Sequence, residues 1–181
     1  MDTVRNNTEL VKTEEDLEAL FNNHTQTKAF NHLPYLYSFT KSQYKTQLTV
    51  NNLLKRYTTE PTGLISSDNQ GQLSAWYVLN SLGIYNVIPG SQQYIIGLPQ
   101  FDKAVITLSN NKKFTILNSG ASITRSNIYI QGLNLDKSGY TKLYLNYADI
   151  AKGGEFEVFT GTMPNKLFMQ DLEKPTLKVV E

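Results

Sequence analysis

The sequence has no cysteine, which excludes disulfides and thiolate metal sites. No apolar run approaches the length needed to cross a bilayer. The opening residues Met1 to Leu10 contain no apolar core of the kind a signal peptide carries, so none is visible. Charge is also scarce. Charged residues make up 18% of the 181 residues and the net charge is +1, so no basic stripe points to nucleic acid or to a membrane surface. Dinucleotide-binding, Walker and nucleophile-elbow patterns are all missing. The only histidines are His24 and His32, and two histidines without cysteine make a poor transition-metal site.

In place of charge the chain carries neutral polarity, from Asn, Gln, Ser, Thr and 11 tyrosines. Such side chains hydrogen-bond neutral ligands such as sugars, and they also make ordinary surfaces. The hydrophobic period divides the chain near Pro89-Gly90, into a helical segment, 1–88, and a β-sheet segment, 89–181. Thr13 followed by Glu14, Glu15 and Asp16 reads as a helix start, with Leu17, Leu20 and Phe21 on one face. A second helix is expected over Leu33 to Phe39, with Pro34 in its first turn. A third runs from about Lys41 to Tyr57, with Val50, Leu53, Leu54 and Tyr57 repeating at helical spacing. A fourth starts near Gln70 and reaches Leu82. It is apolar nearly all round, which predicts the most buried helix, and Gly83 is its expected stop.

Beyond Gly90 the period becomes two. Residues 93–97, 104–108, 113–117, 127–133 and 155–159 read as strands. Asn110-Asn111, Gly139-Tyr140 and Gly153-Gly154 read as turns, and 147–151 as a short helical piece. Helices followed by an antiparallel sheet define an α+β class.

The candidate chemistry sits where a polar loop meets the fourth helix. Asp68 lies two residues before that helix, where an aspartate either caps and turns the chain or serves a site. Trp76 and Tyr77 either stack on a sugar or pack in the core. His32 precedes an aromatic helix, the usual setting of a packed or capping histidine.

Several segments, in order, resemble one family. Pro34-Tyr-Leu-Tyr37 and Tyr44-Lys-Thr-Gln47 lie upstream. Asp68-Asn-Gln-Gly-Gln-Leu-Ser-Ala-Trp-Tyr-Val78, Ser81-Leu-Gly-Ile-Tyr85, Pro89-Gly-Ser91, Tyr94-Ile-Ile-Gly-Leu-Pro99 and Phe101 follow. Asn127-Ile-Tyr-Ile-Gln131, Tyr140-Thr-Lys142, Asp149-Ile150 and Lys152-Gly-Gly154 close the series. They resemble the C-terminal part of the catalytic domain of glycoside hydrolase family 92, over roughly Leu10 to Lys166. The resemblance implies a calcium-dependent, inverting exo-α-mannosidase, with the helices forming the last part of an (α/α)₆ barrel. It also implies mannoside substrates and a catalytic base in the loop before the fourth helix, for which Asp68 is the candidate. Asn69, Gln70, Gln72, His32 and Trp76 become candidates for contact with substrate.

The chain departs from the family pattern at important places. Asn69 stands where the family carries an acid, and an amide orients water without deprotonating it. Thr27-Lys-Ala-Phe30 replaces an Asn-Glu-Pro segment, and Asn31 replaces one of two paired histidines. The helix implied to carry the general acid has no counterpart here. The expectation is therefore a truncated, catalytically incomplete mannosidase piece. The alternatives are one subunit of a split enzyme, completed by a companion chain or by further copies covering the open barrel face, and a non-catalytic carbohydrate-binding or structural module.

Overall fold

A computed structural model describes residues 15, 19, 31–61, 63, 71–120 and 126–176. Of the first expected helix only Glu15 and Ala19 are described, both helical and exposed. The second expected helix is real over Leu33–Phe39 but is a 3₁₀ helix. Pro34 stands at its start, and its turns close at i to i+3, as in Tyr35 N–H to the His32 carbonyl at 3.0 Å. The segment is short and buries Tyr35 and Tyr37, and tertiary packing readily selects the tighter helix at this length.

Helix α1 spans Tyr44–Leu54 and helix α2 spans Gln72–Leu82. The sheet region follows. Strands β1 (Ile84–Tyr85), β2 (Gln93–Ile96) and β7 (Tyr144–Asn146) form a three-stranded sheet in the order β1-β2-β7. Strands β3 (Lys103–Thr107), β4 (Lys113–Asn118), β5 (Tyr129–Leu135), β6 (Ser138–Gly139) and β8 (Gly154–Gly161) form a second sheet in the order β3-β4-β8-β5-β6. Helices α3 (Tyr147–Ala151) and α4 (Lys166–Asp171) complete the elements.

The α+β class and the order of helices before sheet hold. The expectation of an antiparallel sheet needs one correction, because β4 and β8 pair in parallel, Ile116 opposite Phe156. Strand β8 arrives after the long excursion through β5, β6, β7 and α3, and so re-enters between β4 and β5 rather than at an edge. The turn expected at Gly139-Tyr140 is also displaced. The reversal between β5 and β6 is made by Asp136 and Lys137, with φ of 49° and 66°, and Gly139 lies within β6. The Asp136 carboxylate accepts the Glu155 N–H at 2.8 Å, which ties the reversal to β8. Asn110-Asn111 does turn the β3–β4 hairpin, with Asn111 at φ 61°.

The main core lies at the sheets. Phe114, Ile116, Ile130, Leu145, Phe156 and Val158 are each 0–1% exposed. A second cluster joins Tyr35, Val50, Leu54, Trp76 and Ile95 beneath the helices. Against expectation α2 is not the most buried helix. It buries Leu73 and Trp76 but exposes Ala75, Tyr77 and Val78, the last at 55%. An apolar face does not bury itself; it needs an opposing element, and none of the described elements covers this one.

Helix α1 shows the converse. Its inward side is partly polar, with Thr46, Gln47 and Asn51 buried beside Val50 and Leu54. Gln47 explains why. Its Oε1 accepts the Ile130 N–H at 2.9 Å, beside the β-bulge between Ile130 and Gly132, so a side chain takes the place of a ladder partner. Gln47→Leu keeps the size and removes the acceptor. It should lower the unfolding free energy by about 1–3 kcal/mol, the cost of an orphaned buried donor, read by urea denaturation. A change near zero would mean that Gln47 is only filling space.

Candidate functional site

Of the candidate residues, Asp68, Asn69 and Gln70 lie outside the described residues. Gly71 follows them as the N-cap of α2 in the left-handed conformation, φ 72°. Gln72 is the first helical residue and is exposed. His32 occupies the N-cap position of the 3₁₀ helix without a side-chain capping bond and is half-buried. Burial lowers its pKa below the ordinary histidine value, so the ring is neutral at pH 7.

Trp76 is 3% exposed, and its ring stacks on Tyr57 with centroids 6.0 Å apart. Its Nε1–H donates to the Asn31 carbonyl at 3.1 Å. An indole so covered has no open face for a sugar; it locks the segment containing Asn31 and His32 against α2. Tyr35 and Asn80 perform a similar task lower in the core. The Tyr35 hydroxyl donates to Asn80 Oδ1, and Asn80 Nδ2 donates to the Trp76 carbonyl at 2.7 Å. Burial, and then the neighbouring Tyr85, push the Tyr35 pKa well up, so the phenol stays a donor. The structure thus brings the surroundings of His32 and α2 together through a buried hydrogen-bonded chain.

A second feature was not singled out in the sequence. A cleft of about 510 Å³ opens between the end of α1, the outer side of α2, the segment after β2, and the ends of β4 and β8. Asn51, Gln100, Asn118, Asn127 and Thr160 supply neutral polar groups, and Tyr57, Tyr77 and Phe101 supply rings. Its only carboxylate among the described residues is Asp102, and its only cation Lys55. The walls are held by their own bonds. Thr160 Oγ1 donates to Asn118 Oδ1 at 2.8 Å, and Asn118 Nδ2 donates to the Pro99 carbonyl at 3.1 Å. The Gln100 N–H donates to the Ser81 carbonyl at 2.9 Å, so the wall after β2 is fastened to the end of α2. The one local signal was the Pro99-Gln-Phe101 breaker after a strand, with an aromatic residue placed on a loop.

For calcium the fit is poor among these residues. The ion takes six to eight oxygens, usually several from carboxylates. No three His, Asp or Glu side chains gather in one place among the described residues. No helix among the described residues is long and apolar enough to cross a membrane.

The architecture is α+β, with helices packed beside two sheets. Residues 2–162 match the glycosyl hydrolase family 92 catalytic domain, and the chain belongs to this family. It corresponds to a C-terminal part of that domain. Solved structures of family GH92 enzymes are similar over most of its length. The alpha-mannosidase BT3965 from Bacteroides thetaiotaomicron is 28% identical with a TM-score of 0.77, over 84% of this chain and 22% of that one. The same enzyme in complex with mannoimidazole gives 30% identity and a TM-score of 0.76, over 82% of this chain and 20% of that one. The inverting mannosidase BT2199 of the same organism is 30% identical with a TM-score of 0.72, over 80% of this chain and 20% of that one. The chain therefore spans about a fifth of the length of these relatives. No curated protein matches it.

Proposed function

We propose that this chain is a part of an α-mannosidase-type glycosidase domain that does not hydrolyse mannosides by itself. The observation that carries this is the donor inventory of its cleft. Inversion at a glycosidic carbon needs two carboxyl groups about 6.5–9.5 Å apart, one to protonate the leaving oxygen and one to activate water. The cleft offers a single carboxylate, Asp102, among its described lining residues. Family membership supports the substrate class, because the solved relatives are mannosidases and one of them holds mannoimidazole. Within this reading Asp68 is the one acid of its loop and the candidate base, while Asn69 positions water without accepting its proton. Calcium belongs to the family's chemistry as the resemblance gives it. Because the described donors do not make such a site, no step of this reading runs through it.

The test is a hydrolysis assay with an aryl α-mannoside, in the presence and absence of calcium. The expected result is no release of aryl alcohol above the Asp68→Asn variant. Release that Asp68→Asn abolishes would overturn the proposal. One observation favours the split-enzyme reading as second choice: α2 leaves Ala75, Tyr77 and Val78 in solvent, an apolar face of the kind a companion chain or further copies would cover. In the same assay that reading predicts turnover only after a second family 92 chain is added.

A further inference from the structure

A sheet edge carries unpaired main-chain N–H and C=O groups, and the edges of this molecule are unequal. Among the described residues the two sheets have β1, β7, β3 and β6 as edge strands. Strands β1 and β6 have two residues each and β7 has three, whereas β3 has five. The edge beside β7 is also occupied, since the Leu143 N–H donates to the Glu173 carbonyl and the Glu173 N–H to the Thr141 carbonyl, both at 2.8 Å. Strand β3, Lys103-Ala-Val-Ile-Thr107, pairs with β4 on one side and with no described strand on the other. It contains no proline, and its register against β4 runs without a bulge, so two of the usual devices that blunt an edge are missing. Lys103 is its one charged residue.

The direction of the free groups follows from the ladder. The Asn118 N–H donates to the Asp102 carbonyl and the Leu108 N–H to the Lys112 carbonyl, both at 2.9 Å. Residues 102 and 108 therefore turn their main-chain groups toward β4. In an antiparallel pair such residues alternate with others whose groups point away. Ala104 and Ile106 are thus tied to β4, while Lys103, Val105 and Thr107 present their N–H and C=O groups outward. The same three carry the exposed side chains, and Val105, in the middle, is 47% exposed.

We propose that this edge is a self-association surface, on which β3 of a second copy of the chain pairs antiparallel about a two-fold axis at Val105. That register sets Val105 against Val105 and, on either side, Lys103 against Thr107 of the other copy. Every outward group finds a partner, about six main-chain hydrogen bonds in all. An axis at residue 103 would oppose the two lysines, and an axis at 104 or 106 would leave Thr107 or Lys103 beyond the partner strand. Facing β-branched side chains are a favourable cross-strand pair. Lys113, which flanks Thr107 on β4, stands one strand further from the opposing Lys103, roughly 10 Å, where physiological salt screens it. Each copy has a single edge of this length among the described residues, so the pairing closes at two. One short strand pair buries less than the roughly 1,200 Å² of stable complexes, which makes the dimer weak, with Kd on the order of 0.1 mM. A strand from an unrelated polypeptide would meet the same main-chain groups, but not the match of Lys103 with Thr107 that self-pairing gives.

The experiment is sedimentation equilibrium of the full chain from about 5 μM to about 1 mM, with far-UV circular dichroism to check that each variant is folded. Monomer is expected at the low end and dimer at the high end. Val105→Lys sets two cations face to face and should weaken the dimer at least about tenfold. Thr107→Asp places a carboxylate opposite Lys103 in both halves and should strengthen it about two- to tenfold. Amide hydrogen exchange supplies a second readout: the Val105 amide gains protection as concentration rises, while Ala104 and Ile106 are protected throughout. A chain that stays monomeric at about 1 mM overturns the inference. So does a dimer that both substitutions leave unaltered, as one formed through the exposed face of α2 would be. Weakening by Val105→Lys without strengthening by Thr107→Asp overturns the register, and with it the axis at Val105. Should Val105→Lys unfold, Thr107→Asp and the exchange pattern decide between the same outcomes. The proposed function stands apart from this result, because it is read by hydrolysis and not by association.

Discussion

Gly83→Ala is expected to lower the unfolding free energy by about 2–5 kcal/mol, one of the two largest effects of a single substitution in this chain. Gly83 ends α2 in the left-handed conformation at φ 80°. A side chain strains that conformation wherever it occurs. Here space is missing as well, since a Cβ would stand 2.6 Å from the Pro99 nitrogen and 2.8 Å from the Pro99 ring. The backbone cannot simply retreat. The Gly83 carbonyl accepts the Gly97 N–H at 2.8 Å, and two residues earlier Ser81 holds Gln100. The junction therefore carries the segment from Gly97 to Phe101, one wall of the cleft. Urea or thermal denaturation reads the loss. A variant that keeps its stability within about 0.5 kcal/mol would mean that the contact between α2 and the segment after β2 is wrongly placed.

Phe156→Ala should cost about 3–5 kcal/mol. Phe156 is 0% exposed on β8, the strand that lies between β4 and β5. Tyr140 meets its ring edge-on at 5.9 Å. Phe159, three residues on, faces the other side of the same strand and is only half-buried. Phe159→Ala should therefore cost less than half as much in the same denaturation series. Equal losses would contradict the assignment of faces along β8.

Much of the backbone was legible because local rules and global packing agree there. Residues 147–151 form a helix as expected, Gly83 stops α2, and strands stand at 93–96, 103–107 and 113–118, close to where they are expected. Alternation in β8 shows this agreement most clearly, with Phe156, Val158 and Thr160 buried in turn. The pieces that escaped were short or context-made. Strands β1 and β7 have two and three residues, too few to show a period, and they exist because β2 lies between them. Helix α4 begins at Asn165, whose side chain accepts the Phe168 N–H at 3.2 Å, a cap legible only beside a stronger apolar pattern than Lys166 to Asp171 provides. The face of Trp76 was undecidable from spacing alone. A tryptophan on an apolar helix serves a core or a ligand equally well until its neighbours are known.

What the sequence determined by itself was therefore a class: helices before strands, neutral polarity in place of charge, and an ordered series of segments shared with one glycosidase family. Tertiary structure alone decided that β8 enters in parallel beside β4, that α2 turns Val78 outward, and that Asn51, Phe101, Asn118 and Thr160 meet at one cleft. The reason is sequence distance. Periodicity is written within a dozen residues, whereas these four side chains are drawn from positions 51 to 160 and share no local pattern. Only the pairing of distant strands and the docking of α1 on β5 set them face to face.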